Sequence, residues 1–408
     1  MSAAACLLGA LALWLPSGYS IGAVLLLITS LGVLWRLGLP RLSAAQWGVA
    51  GVMLLYSLVW MLDGVLRGGD VRALDQASRL IFAIPVLLAS ARVVLYWPLI
   101  WVGCSVGGVG AFVIAWHQVE SGGLARAAGF IGPEPFANIA ALLAGLGLFG
   151  GLWFWRCRAH AGLLLMAVVG SAGALGALIL SETRASWIAF VGVLCVAAAG
   201  GWLLGTPRER LRLGVVAALA GALLMGLFAE PVSERIAATY DDLQSYQAEA
   251  GPPRSIGNRF EVWRGSLQLF AERPLWGWGA PGYDAAMTRL AATGVIHERA
   301  AHPVHAHNQL IDALAKKGLI GAVVLLAVYG VPALLFARCV RGPRADEERL
   351  VCLAALAMIA NFFLYGMAHT VLENNAAVMN YGFWLALLAG AGLGHASPPA
   401  AIASAQQE

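Results

Sequence analysis

AGLLLMAVVGSAGALGALIL (161–180) is a run of twenty residues without a charged side chain. An α-helix needs about this length to cross a hydrocarbon core about 30 Å thick. Eleven further apolar segments lie at about 3–15, 21–37, 45–62, 79–95, 97–117, 135–155, 185–204, 211–229, 318–338, 349–367 and 377–395. Inside a bilayer every backbone amide must be paired within the protein, and helices achieve this. The sequence therefore predicts an all-α fold, a polytopic transmembrane bundle of about 12 spans.

Composition supports a membrane protein. Of the 408 residues, 60 % are hydrophobic and 12 % are charged, whereas a soluble domain carries about a quarter charged residues. The six cysteines lie in or beside apolar segments without metal-ligand spacing, which predicts buried, reduced thiols. The net charge is only +4 and the arginines are dispersed among loops, so we expect no nucleic-acid partner.

The only long polar stretch, residues 230–317, divides the chain. We expect residues 1–229 to hold spans one to nine and residues 318–396 to hold spans ten to twelve. Residues 397–408 are expected to form a disordered cytoplasmic tail. Helical spacing within the polar stretch predicts an amphipathic helix near 236–246, another near 260–270, a short helix at 281–291 and a break at 316–318 before the tenth span.

The arginines predict the orientation. With the N-terminus in the cytoplasm, the inner loops hold twelve arginines and the short outer loops hold five. This bias favours cytoplasmic N- and C-termini and an outer position for residues 230–317. In a Gram-negative host that side is the periplasm.

Histidines mark the candidate chemistry in HPVHAHNQ (302–309). His307 lies near the start of a predicted helix, whose positive dipole end disfavours imidazolium and so favours a general base. His305 and Asn308 beside it are candidate substrate-binding residues, and His302 is a supporting or solvated residue. The alternative for His307 is a surface histidine without a function.

A metal site is the less favoured interpretation of the same stretch. His302, His305, His307 and Asp312 offer nitrogen and oxygen ligands, but their spacing is not common for zinc. We therefore expect neither a metal nor another cofactor. The acidic pair Asp241–Asp242 is interpreted as the solvated face of an amphipathic helix.

Two arginines are candidate anion ligands. Arg184 stands in SETRASW (181–187) at the outer end of a span, and Arg259 stands at the start of a predicted loop helix. Guanidinium groups at headgroup depth bind diphosphate bidentately, although an arginine at a helix end often only extends to the interface. Weaker candidates for the same role are Arg264, Arg126, Arg72 and Arg67. Structural ion pairs are expected for Glu182, Asp312 and Glu373.

Together these motifs resemble the O-antigen ligase family. HNQLIDALAKKG (307–318) is similar to its histidine-x10-glycine motif, and TRASW (183–187) resembles its arginine motif, although Ala185 and Ser186 replace Gly-Ala. NRFEVW (258–263) followed by RPLWGWGAPGY (273–283) resembles its loop arginine and P-L-x-G-x-G stretch. The resemblance covers residues 181–330 well, and the first 130 residues only in hydropathy.

The resemblance implies a membrane glycosyltransferase of lipopolysaccharide biosynthesis. It would transfer a polysaccharide from undecaprenyl diphosphate to lipid A-core at the periplasmic face of the inner membrane, inverting and without metal. His307 would be the base, and Arg184 and Arg259 would stabilise the diphosphate. Arg264, His305, Asn308 and Arg126 would bind substrate. Partners would be the donor, the acceptor and membrane lipids.

Three alternatives stay open. An O-antigen polymerase would use a second lipid-linked glycan as its acceptor. A lipid or solute transporter would place ionisable residues in mid-span, whereas the polar groups here gather at the outer ends of the spans. A structural membrane partner would not need histidines and arginines in this combination.

Overall fold

The computed structural model describes residues 1–68, 71–211, 233, 237, 240–244, 246 and 255–394, and these are mostly helical and include no strand. The long helices are α1 Ser2–Ala10, α2 Gly18–Leu37, α3 Ala44–Leu66, α4 Val71–Ser90, α5 Trp97–Trp116, α6 Pro133–Arg156, α7 Ala161–Leu180, α8 Arg184–Leu204, α9 Ser255–Glu272, α10 Gly279–Ala292, α11 Gln309–Arg341, α12 Asp346–Gly366 and α13 Asn375–Gly392. A π-helical turn, His117–Ser121, extends α5, and 3-10 turns occupy Glu298–Ala300 and Val371–Glu373. The predicted all-α class is confirmed.

Eight of the described helices are long and apolar enough to cross a membrane: α2, α3, α5, α6, α7, α8, α11 and α12. The protein is therefore a polytopic membrane protein. Of the other predicted spans, the first contains α1, which has only nine residues. The segments 79–95 and 377–395 overlap α4 and α13, and 211–229 lies outside the described residues. The total of twelve stays a prediction.

Contacts between helix ends define two faces of the bundle. On one face, the Ala127 N–H donates to the Leu180 carbonyl at 2.8 Å, and Asn308 donates to the Met367 carbonyl at 3.0 Å. We call this the site face. The ends of α6, α8, α11 and α13 that lie away from it are also linked, because Arg156 bonds the Leu204 carbonyl at 2.7 Å and Arg344 bonds the Gly392 carbonyl at 3.0 Å. We call this the opposite face.

Small residues let the N-terminal helices approach closely. A Cβ on Gly107 would lie 2.1 Å from the Gly9 carbonyl oxygen, and one on Gly108 would lie 2.2 Å from that of Gly170. Membrane helices pack in this way because they lack a hydrophobic drive toward one another and rely on backbone proximity. Glycine thus brings α1 and α7 onto α5.

One cysteine prediction is wrong. Cys339 and Cys352 form a disulfide near the opposite face. Their sequence positions lie in separate apolar segments, and only the antiparallel packing of α11 and α12 brings the two thiols together. The other four cysteines are free, as expected, but only Cys104 is buried: Cys6 and Cys157 are half-buried and Cys195 is exposed.

The segment before α11 forms its own small core on the site face. α9 and α10 confirm the helices predicted near 260–270 and 281–291. They pack through buried apolar residues such as Val262, Leu269 and Met287, while the Tyr283 hydroxyl bonds Ser266 at 2.7 Å. The helix predicted near 236–246 falls largely outside the described residues, although 240–244 are helical.

Candidate active site

The turn that carries the histidines is fixed by the start of α11. His307 has a left-handed backbone, with φ at 50°, and lies just outside the helix, which begins at Gln309. Asn308 is the N-cap, and its side-chain oxygen accepts from the N–H groups of Leu310 and Ile311 at 3.0 and 3.1 Å. Its amide nitrogen holds the Met367 carbonyl. Asn308, predicted as a substrate ligand, therefore positions His307 against the end of α12.

His307 is neutral near pH 7. Burial, then the charges of His305 and Arg259, lower its pKa to about 4. Neutrality was expected from the helix dipole, whereas burial is the largest cause in the structure. His307 meets His305 edge to face, with ring centroids 4.4 Å apart. Among the described residues, no side chain or backbone group bonds the Nδ1 atom of either ring.

A third histidine, His369, was not predicted from the sequence. Its ring centroid lies 6.0 Å from that of His307, and it stacks on Tyr365 at 4.8 Å. Burial, then the charges of Arg259 and His307, lower its pKa to about 3. His369 follows α12 directly, so the end of that helix supplies a second neutral imidazole beside the first.

The predicted Arg259 lies within electrostatic reach of these histidines, and the predicted Arg184 lies within reach of Arg259. Burial, and then the positive charge of Arg184, lower the pKa of Arg259. The charge of Arg259 in turn lowers the pKa of both His307 and His369. Arg184 is the first residue of α8 and Arg259 lies near the start of α9, so helices far apart in sequence bring two like charges to one place. An anion would relieve their repulsion.

Glu134 completes the charge pattern and was also missed from the sequence. It lies in the first turn of α6 and pairs with Arg126 at 2.7 Å. Its negative charge acts on Arg259, His307 and His369, opposing the lowering of their pKa values. Arg126, predicted as a substrate ligand, is 42 % exposed and joins this site through Glu134.

Other predicted residues have different surroundings. Arg264 is exposed on α9, where its charge lowers the pKa of Tyr246 against the dominant effect of the Tyr246–Glu261 hydrogen bond. His302 lies 3.4 Å from Asp284 on α10 and is 70 % exposed. Arg67 donates to the carbonyls of residues 276 and 277. The side chain of Arg72 lies outside the described residues, and Glu182 has a left-handed backbone.

The acidic residues behave largely as structural groups. Asp312 and Glu373 both pair with Lys316, at 2.9 and 3.8 Å, as the sequence predicted. Asp242 is buried and accepts from the Ile256 N–H at 2.9 Å, so the prediction of a solvated face is wrong for this residue. Across the described ranges, no group of three histidine, cysteine or acidic side chains is arranged to hold a metal ion.

The break at Gly318 explains the spacing between His307 and the glycine. Gly318 has φ 64° and ψ −159° inside α11, and a Cβ there would lie 2.4 Å from the carbonyl carbon of Leu275. The Leu319 N–H donates to the Pro274 carbonyl at 2.7 Å, and the Trp278 N–H donates to that of Ala315 at 3.0 Å. The P-L-x-G-x-G stretch therefore packs on the break, which fixes the part of α11 that leads to His307.

The sequence of this chain is similar to those of known proteins. Residues 170–326 match the family model described as O-Antigen ligase. A Haemophilus influenzae protein described as uncharacterized is 22 % identical over 388 residues, covering 90 % of this chain and 92 % of that protein. An Escherichia coli protein described as O-antigen ligase is 28 % identical over 167 residues, covering 40 % of this chain and 39 % of that protein. The matched family segment contains Arg184, Arg259, His307 and Gly318.

Proposed function

We propose that this chain, which belongs through residues 170–326 to the O-antigen ligase family, transfers a glycan from undecaprenyl diphosphate to a sugar hydroxyl of lipid A-core. The observation that carries the proposal is that a neutral His307 lies within electrostatic reach of Arg259, whose charge is opposed in turn by the like charge of Arg184. A base and a paired anion site are what this transfer needs.

Arg184 and Arg259 bind the diphosphate of the donor. Two guanidinium groups that repel each other gain most when a multiply charged anion lies between them. Their attraction for the leaving group grows as its bond to the sugar breaks, because negative charge then accumulates on the diphosphate. Electrostatic stabilisation of this kind is commonly the largest contribution to catalysis.

His307 takes the proton from the acceptor hydroxyl. The acceptor oxygen forms a bond to the anomeric carbon as the bond from that carbon to the diphosphate oxygen breaks on the opposite side, which inverts the configuration. The electron pair of the broken bond leaves with undecaprenyl diphosphate, and the proton stays on the imidazole until solvent removes it. A base of this type contributes about 10²–10⁴-fold. The proposed mechanism has no step that needs a metal.

The site face is proposed to lie in the periplasm, with the protein in the bacterial inner membrane. The arginine count supports this orientation because twelve arginines fall in predicted inner loops and five in short outer loops. Arg156, Arg338, Arg341 and Arg344 all belong to the helix ends of the opposite face. Both substrates are lipid-anchored, so they meet the site within one plane of the membrane, and proximity lowers the barrier.

The decisive experiment supplies two acceptors. Purified protein in liposomes is incubated with undecaprenyl-diphosphate glycan and either lipid A-core or a second lipid-linked glycan. We expect product on lipid A-core. Chain growth on the lipid-linked glycan alone would instead identify a polymerase, which could use the same base and anion site. Movement of intact donor across the liposome membrane without transfer would support a transporter.

A further inference from the structure

We infer that Lys316 is a positioning residue for the candidate active site, because its ammonium group joins the two loops that carry the site histidines. One loop, residues 302–308, holds His305 and His307. The other, residues 367–374, holds His369. The inference rests on the proposed function for its catalytic readout and adds a role for a buried charge that the proposed mechanism does not use.

Lys316 and Asp312 together grip the backbone on both sides of His305. The Lys316 ammonium donates to the Val304 carbonyl at 3.1 Å and contacts Asp312 at 2.9 Å. The other carboxylate oxygen of Asp312 accepts from the Ala306 N–H at 2.8 Å. The two side chains are one turn apart on α11, so they fix the position of the backbone at Val304 and Ala306 relative to that helix.

A second contact extends from Lys316 to the loop after α12. Its ammonium lies 3.8 Å from a carboxylate oxygen of Glu373, the last residue of the 3-10 turn Val371–Glu373. That turn follows His369 directly along the chain. The Lys316 ammonium thus lies between the loop of His307 and the loop of His369. Of its two carboxylate partners, Asp312 belongs to α11 and Glu373 belongs to the loop of His369.

The burial of this group indicates positioning rather than surface solvation. The side chains of Lys316 and Asp312 are 4 % and 2 % exposed. Removing such charges from water costs several kcal/mol per ion, so a buried pair commonly adds little net stability compared with apolar residues of the same shape. What apolar residues could not supply are the hydrogen bonds to Val304 and Ala306, which orient the histidine turn.

The Trp263 side chain supports the same turn from another direction. Its indole N–H donates to the Ala306 carbonyl at 2.7 Å. Ala306 therefore has both backbone polar groups bonded to side chains, one on α9 and one on α11. The residue between the two site histidines cannot shift without breaking one of these bonds, and Lys316 holds the carboxylate that makes the second.

The test measures kcat and KM for Lys316→Met with the two glycolipid substrates in liposomes. A misplacement of about 1 Å can cost about 10²-fold in rate. We therefore expect kcat to fall about 10–100-fold, while KM changes little because the arginines are untouched. Glu272→Gln is the matched control: it breaks the exposed Arg289–Glu272 pair on the same face and should leave kcat unchanged.

A cycle with His307 separates positioning from a general structural effect. In the His307→Ala background, Lys316→Met should cause no further loss, because the turn then has no base to position. An equal loss in both backgrounds would overturn the inference, and so would a wild-type kcat in the folded single variant. If Lys316→Met does not fold, Lys316→Met with Asp312→Asn removes both buried charges on α11, and the same criteria apply to it.

The two proposals can fail separately. Wild-type protein that transfers no glycan to either acceptor would refute the proposed function. Active wild type together with a fully active Lys316 variant would refute the positioning role alone. Recovery of kcat by Lys316→Arg relative to Lys316→Met would support a requirement for the cation.

Discussion

The imidazole rings of His307 and His369 lie with their centroids 6.0 Å apart, at an interplanar angle of 77°, although His307 precedes α11 and His369 follows α12. The pKa of each is lowered by burial and by the charge of Arg259. Near pH 7 both imidazole rings are therefore neutral, and Arg259 contributes a positive charge beside them. In the proposed mechanism the arginines therefore supply the positive charge that binds the anionic donor, and the neutral histidines can accept a proton.

Replacing His307 by alanine should remove the base. We expect kcat to fall about 10²–10⁴-fold, the usual contribution of a general base, because the acceptor hydroxyl then loses its proton only to solvent. Transfer is measured with purified protein in liposomes. Membrane insertion and thermal unfolding of the variant should match those of the wild type, and unchanged transfer would exclude His307 as the base.

The pH profile should reflect the lowered pKa of His307. Because the neutral form is active and its pKa is about 4, kcat/KM should hold steady from neutral pH down toward 5 and decline as pH falls through about 4. An acid limb centred near the ordinary histidine value, about 6.5, would contradict the buried environment. Circular dichroism at each pH separates titration from unfolding.

Arg259→Gln should move the acid limb of the pH profile to higher pH. The positive charge of Arg259 lowers the pKa of His307, so its removal favours the imidazolium. The same variant should lose about 10²–10³-fold in kcat, as is typical when one stabilising donor is removed. The residual activity is followed against pH. Arg264→Gln on the exposed side of α9 serves as a comparison, and we expect it to leave the limb in place.

Gly318→Ala should destabilise the protein, whereas Gly330→Ala in the same helix should not. A backbone with φ 64° and ψ −159° is essentially restricted to glycine, and alanine there costs about 1–3 kcal/mol. Its Cβ at position 318 would also meet backbone atoms of Leu275 at 2.4 Å. A Cβ on Gly330 meets nothing within 4 Å. Thermal unfolding in detergent compares the two variants, and equal midpoints would show that the break is not required.

A chelator should leave transfer unchanged, because the proposed steps use only side chains of the protein. The protein is purified in buffer that contains EDTA, and its activity is then measured both with EDTA and after the EDTA has been removed. A loss that Mg²⁺ or Zn²⁺ restores would show that transfer depends on a metal and would contradict the proposed mechanism.

The spans were predictable because each apolar run carries its own signal. Segment 161–180 becomes α7 with the same bounds, and the apolar runs at 185–204 and 349–367 become α8 and α12. α13 is not among the eight helices that are long and apolar enough to cross a membrane, and almost every one of its residues is buried among other helices.

The site was predictable only in part. Arg184, Arg259 and His307 stand in recognisable local motifs, but His369 and Glu134 have none. Glu134 is brought to the site by α6 and His369 by α12, two helices joined where the Asn361 side chain donates to the Asn138 carbonyl at 3.1 Å. Such a contact depends on packing between distant segments. The usable signal was weaker: both residues are titratable groups at span ends that share one predicted side of the membrane.

α11 unites a turn of the candidate active site with a full membrane crossing. The arm of α11 between its first residue, Gln309, and the break at Gly318 extends about 14 Å. A small change in the tilt of the membrane-spanning part of α11 therefore becomes a larger displacement at His307. Helices adjust their tilt when the bilayer is thicker or thinner than their apolar length. The length of the lipid acyl chains should therefore affect the position of His307 and the rate of transfer. Turnover in liposomes should peak at one acyl-chain length and fall on either side of it.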